Sequence, residues 1–147
     1  MSYYAQRELS FDLPASTVTR ANGGFKEGDT DVIGRWVQRG TGNTVVLVDT
    51  DNRPLGAITR ITGDKVAVAV GSVVEGKRGS NAAIGNGNAV TGARRQESAS
   101  GTAERGFVSA AKTDSAANYS NSVGYVLSNS ADVVANAAAG TVEVLLR

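Results

Sequence analysis

Between Thr44 and Val74 the chain reads TVVLVDTDNRPLGAITRITGDKVAVAVGSVV, with three apolar runs, Val45–Val48, Leu55–Ile61 and Val66–Val70. Each run is too short for a stable helix, and β-branched residues dominate them, so strands are expected. Val66, Val68 and Val70 alternate with Ala67 and Ala69, giving one bulky and one thin face. Leu55, Ala57, Thr59 and Ile61 are predicted on one face of their strand, and Gly56, Ile58 and Arg60 on the other. The turns between the runs carry their own chemistry. Asp49 to Pro54 supplies side chains that bond their own backbone and a proline that fixes φ, while Thr62 to Lys65 holds Gly63, which is free to take positive φ. The pattern predicts a three-stranded meander.

A sheet of this kind needs a core, and 147 residues suffice for one domain but not comfortably for two. Eighteen glycines against two prolines, with one Trp, four Tyr and three Phe, point to an all-β protein with many tight turns and an aliphatic core. The net charge of +1 gives no global field toward nucleic acid or an acidic membrane. Histidine and cysteine are both absent. That removes disulfides, thiol nucleophiles, a Ser-His-Asp relay and His or Cys zinc ligation. No apolar run approaches the roughly 20 residues that span a bilayer, and MSYYAQRELSFDL lacks the apolar centre of a secretory signal.

Residues 1–30 are expected to form an N-terminal arm or an edge segment, and residues 31–147 a single β domain. Leu9, Phe11 and Leu13 alternate with Ser10 and Asp12 before Pro14, so a short extended piece is predicted there. Such a piece fits an edge strand of the core or an arm docked on a neighbouring subunit. Trp36 is expected to fill core or interface space. From Glu75 to Thr102 the chain turns to Gly, Asn, Ser and Ala, with Ile84 and Val90 as its large aliphatics, and a long loop excursion at about 75–102 is expected. Further strands are predicted at Arg105–Ala111, Val123–Leu127 and Thr141–Leu146, with a short helical turn over Ala131–Ala138.

Several motifs fall short of chemistry. Gly71 to Arg78 nearly spells a phosphate-binding loop, but Arg78 stands where a magnesium-binding hydroxyl belongs, and the Gly79-Ser80-Asn81 that follows is a poor helix start. Asp49 with Asp51, and Asp29 with Asp31, sit in turn sequence where Asp serves the backbone, and neither pair has the further ligands of a calcium loop. Asn118-Tyr119-Ser120 matches a glycosylation sequon without an export signal to use it. Lys77, Arg78, Arg94, Arg95 and Arg105 make the excursion locally basic, without the aromatics that stack bases. No cofactor or metal is implied.

The run TVVLVDTDNRPLGAITRI, followed at the end of the chain by VGYVLSNSADVVANAAAGTVEVLL, resembles the small capsid decoration (cement) proteins of tailed bacteriophages. In that family a glycine-led strand, a small-residue loop and a closing valine/leucine strand are common at the C-terminus. The corresponding stretches here are Gly124–Leu127, Ser128–Gly140 and Thr141–Leu146. The likeness covers about the last hundred residues, and the 75–102 excursion has no counterpart in it. It implies a β-sandwich or barrel-like fold and a non-enzymatic protein, made in the host cytoplasm and placed on the outer capsid surface. It also implies the major capsid protein as partner and assembly as a homotrimer or dimer. Capsid or subunit contacts are then expected from Tyr3, Tyr4, Arg7 and Phe11 on the arm and from Arg78, Arg94 and Arg95 on the excursion. The competing expectations are a tail or fibre subunit, a small nucleic-acid-binding β-barrel, and a small hydrolase using carboxylates such as Asp49 and Asp51.

Overall fold

The computed structural model describes residues 7–49, 53–77, 89–95, 104–110, 123–129 and 141–146. Among these described residues, ten strands form two antiparallel five-stranded sheets, and there is no α-helix. In chain order the strands are β1 (Arg7–Asp12), β2 (Trp36–Arg39), β3 (Val45–Leu47), β4 (Gly56–Thr62), β5 (Lys65–Val70), β6 (Val73–Lys77), β7 (Ala89–Arg95), β8 (Glu104–Ala110), β9 (Gly124–Asn129) and β10 (Thr141–Leu146). The first sheet runs β1-β5-β4-β2-β3 and the second β6-β10-β9-β7-β8.

The β4–β5 hairpin is as its sequence predicts. Thr62 pairs with Lys65 across a two-residue loop, with Gly63 at φ +60°. Val66 and Val68 are buried and Ala67 lies on the thin side. The meander is not. β3 pairs with β2, and β2 lies between β3 and β4, so the first sheet is two hairpins side by side. The strict two-face division of β4 also fails, because the register shifts between Ile58 and Arg60. Ile58 pairs with Val68 and Ile61 with Val66, so the bulge at Thr59 turns both isoleucines to the valine side. An extra residue in one strand does this without changing composition.

Both flanking regions contribute strands. Arg7–Asp12 is an outer strand of the first sheet, paired with β5 from Arg7↔Val70 to Asp12↔Lys65, so within residues 1–30 it is the edge-strand expectation that applies to this stretch. Within 75–102, β6 continues to Lys77 and β7 occupies Ala89–Arg95, so the expected loop contributes strand to the second sheet. Its pairing with β8 supplies backbone hydrogen bonds that thin side chains do not signal. The expected turn over Ala131–Ala138 lies outside the described residues.

Two buried clusters hold the fold. One lies along the first sheet and joins Phe11, Val37, Val45, Leu47, Ile58, Val66 and Val68 to Phe25 and Val32 of the segment between β1 and β2. At one end of that sheet Asp12 and Thr44 form a parallel bridge, with the Asp12 amide donating to Asn43 O at 2.9 Å, so the two outer strands β1 and β3 meet. The second cluster joins the sheets. Trp36, Ala57 and Val48 from the first meet Val74, Val108, Val126, Val144 and Leu146 from the second. Backbone bonds stitch the same seam: Lys77 N–H to Gly34 O at 3.0 Å and Gly106 N–H to Val48 O at 3.1 Å.

Candidate functional site

The polar side chains nearest to a chemical constellation lie beside that seam. Arg20, in a 3₁₀ turn at Arg20–Asn22, donates to Asp29 Oδ2 at 2.9 Å and to Asp31 Oδ2 at 2.7 Å. Arg35, only 3% exposed, donates to the same Asp31 oxygen at 3.2 Å and to Arg105 O at 3.4 Å. Its guanidinium lies 4.3 Å from the Phe107 ring centroid, a cation–π contact in a dry setting. Arg105 in turn contacts Asp49 at 3.4 Å and donates to Asn22 O at 3.2 Å. These groups bond one another and fasten the segment before β2 to β8. Asp29 also accepts the Lys26 amide at 2.9 Å, the backbone service expected of a turn aspartate.

The electrostatics agree with a structural seam. The hydrogen bond from Arg20, with further help from the charges of Arg20 and Arg35, holds the Asp31 carboxyl below its ordinary 3.8, against a smaller opposing effect of burial. Such a group stays ionised and is a poor general acid. Because its folded-state value is depressed, its contribution is present above the unfolded value and is lost as pH falls through the folded one. Thermal midpoints measured across acid pH should therefore fall below about pH 4. Asp31→Asn should be less stable than the parent at neutral pH, and the two curves should converge in acid. Curves that stay parallel would assign the acid sensitivity elsewhere. Among the described residues no group of three His, Cys, Asp or Glu is placed to hold a metal ion.

The described residues also line concave surfaces. A groove of about 660 Å³ is lined by apolar Leu13, Pro14, Val18 and Phe25 together with charged residues that include Arg20, Lys26 and Asp64. A smaller depression of about 340 Å³ lies on the thin face beside β1, lined by Glu8, Ser10, Arg60, Lys65 and Ala67. Its charged side chains are held in ion pairs, Arg60 with Glu8 at 2.6 Å and Lys65 with Asp12. No family model, curated protein or solved structure matches this chain.

Four of the residues expected to make contacts, Arg7, Phe11, Arg94 and Arg95, are among those described, two in β1 and two in β7. Tyr3, Tyr4 and Arg78 lie outside the described residues. Arg7 is exposed at the start of β1, whereas Phe11, four residues on, is 5% exposed in the core, with the Arg39 guanidinium 5.3 Å from its ring centroid. Phe11 therefore has little surface left for a partner. Arg94 and Arg95 end β7, where Arg95 pairs with Glu104 of β8. Asp49 is bonded to Arg105, its amide donates to Gln38 Oε1 at 3.0 Å, and Asp51 lies outside the described residues. The near phosphate loop is strand β6 through Lys77.

What sequence reasoning passed over is the outer face of the second sheet. Val126 and Val144 point into the core, while Leu127 and Leu145 on the same central strands β9 and β10 are 37% and 42% exposed. The register shifts between Glu143 and Val144, which leaves Leu127 without a partner residue in β10, next to the Val144–Val126 pair. The signal was available. Val126-Leu127 and Leu145-Leu146 are apolar doublets, and a period-two strand buries one member of a doublet and presents the other.

Proposed function

We propose that this chain is a structural virion protein that decorates the outer surface of an icosahedral phage capsid, bridges adjacent major capsid protein subunits, and acts as a small homo-oligomer. The observation that carries this reading is the display of Leu127 and Leu145 on adjacent central strands of a sheet whose other face is packed core. A lone surface leucine is ordinary, but a rigid pair on neighbouring strands favours a binding surface. The carboxylates nearest the arginines support a binding role as well, being tied into ion pairs. A clip that binds only the assembled shell stabilises it by linkage, since its contacts must be lost before subunits separate. Symmetry repeats each weak contact, and the repeats add through multivalency.

The test is sedimentation with expanded, undecorated capsids. The parent protein should co-sediment with a saturable, symmetry-related stoichiometry. The L127E/L145E variant should remain folded, since both side chains face out, and lose affinity roughly a hundredfold or more if both leucines dock. Absence of binding by the parent protein would sink the capsid reading, and binding to tails in the same assay would favour a tail or fibre subunit.

A further inference from the structure

Among the described residues the two sheets have four outer strands, β1, β3, β6 and β8, and an outer strand presents a row of backbone groups on its free side. On three of them an outward amide is used by another part of the chain. Leu47 N–H bonds Gly23 O at 2.8 Å, Lys77 N–H bonds Gly34 O, and Gly106 N–H bonds Val48 O. On β1 this happens at the last residue, where Asp12 N–H bonds Asn43 O. Hydrogen-bond direction alternates along a strand, so the backbone groups of Ser10 and Glu8 face the same way as those of Asp12, away from β5. The amide of Leu13 turns back to Asp64 O at 3.1 Å, which agrees with that alternation. Residues Arg7 to Ser10 are all exposed, and β1 contains no proline and no register shift.

We infer that β1 pairs with β1 of a second copy of this chain, antiparallel about a two-fold axis through Leu9. The register follows from charge and access. Pairing must join outward residues with outward residues, which leaves three choices. Glu8 opposite Glu8 of the other copy sets two like charges face to face. Ser10 opposite Ser10 brings Glu8 opposite Asp12, again like charges, and requires the Asp12 amide that Asn43 already holds. Glu8 opposite Ser10 occurs twice by symmetry, forms four backbone bonds and meets neither obstacle. It also places Leu9 opposite Leu9 as a non-hydrogen-bonded pair, where side chains approach most closely. Leu9, 39% exposed, is the exposed large hydrophobic of the first sheet among the described residues. A self-complementary edge of this kind selects another copy over a foreign strand. The contact names the surface behind the homo-oligomer proposed above and rests on that reading for its setting alone, since it is tested without a capsid.

The chain has no cysteine, so single cysteines report the contact directly. Leu9→Cys places two thiols on Cα atoms about 4.5 Å apart in the dimer, within disulfide reach. Ser10→Cys places them on a diagonal beyond it. Mild oxidation should convert the first into a covalent dimer at least tenfold faster than the second. Light scattering of the parent should show the mass rising toward twice the monomer with concentration. Ser10→Pro removes an outward N–H and leaves the ladder to β5 intact, so it should stay monomeric with an unchanged thermal midpoint. A parent that is monomeric even at about 1 mM, where any dimer with a Kd at or below that value is substantially formed, would overturn the inference. So would equal cross-linking of the two cysteine variants, or a dimer that survives Ser10→Pro in folded protein.

Discussion

Replacing Trp36 with alanine is expected to cost about 3–5 kcal/mol of folding stability, a large share of the roughly 5–15 kcal/mol that a domain of this size commands. Trp36 is fully buried and belongs to the cluster that joins the two sheets, so its removal opens a cavity between layers rather than within one. Its indole N–H donates to Glu75 O at 3.3 Å, which ties β2 to β6. Gly76 makes room for the ring. A Cβ built there would stand 2.5 Å from Trp36 Nε1 and 2.4 Å from Val108 Cγ2. Gly76→Ala should therefore destabilise too, by overpacking, at about 1–3 kcal/mol. Trp36→Phe should cost less than Trp36→Ala. It should also soften the effect of Gly76→Ala, because phenylalanine has no atom at the Nε1 position, while the Val108 contact keeps the rescue partial. Chemical denaturation of the four proteins in a double-mutant cycle reads the coupling. Independent effects of the two substitutions would show that the seam yields elsewhere.

How much of this was legible beforehand can be judged residue by residue. The β4–β5 hairpin was open to reading because turn chemistry and alternation agree at Gly63 and Val66–Val70. Period two assigns a face, though, and is silent on which strand lies alongside. Val45–Leu47 reads equally well beside β4 or beside β2, because turn sequence flanks it on both sides, and the Arg39–Val45 pairing across the loop at 40–44 decides the matter. The bulge at Thr59 was hidden for a related reason, since an inserted residue changes register without changing composition. β7 was hidden because its sequence, AVTGARR, carries one large aliphatic residue, and its strand character follows from its pairing with β8.

The candidate surfaces follow the same pattern. Arg35 left a sign in the sequence, a charge next to Trp36 within an otherwise apolar stretch, but two of its partners, Phe107 and the Arg105 carbonyl, are seventy or more residues away. The outward leucines were marked by doublets whose exposed member cannot be chosen until the core side of the sheet is known. The β1 edge was half visible. Alternation of Leu9 and Phe11 indicated a strand, and only the direction of the Asp12 amide shows which backbone groups are left facing outward.

A second large effect is expected at Gly56, and it concerns the curl of the first sheet. Gly56 pairs with Val37 in β2 at the start of β4, and a Cβ there would lie 2.0 Å from Ala69 O and 2.9 Å from Val68 Cγ1. The carbonyl of β5 thus occupies the place of a side chain, as happens where a sheet bends tightly over a glycine. Backbone cannot rotate aside as a side-chain tip can, so Gly56→Ala must move β5 against β4. The expected cost is about 3 kcal/mol, at the upper end for overpacking. The damage should not stop at the point of substitution. The same curl brings β1 and β3 together at the Asp12–Thr44 bridge, and β5 carries β1. Hydrogen exchange at the Asp12 amide should therefore accelerate in Gly56→Ala more than exchange in β10, which belongs to the other sheet. A denaturation midpoint within experimental error of the parent would show that β5 has room to retreat. Uniform acceleration in both sheets would show instead that the first sheet opens only when the whole chain unfolds.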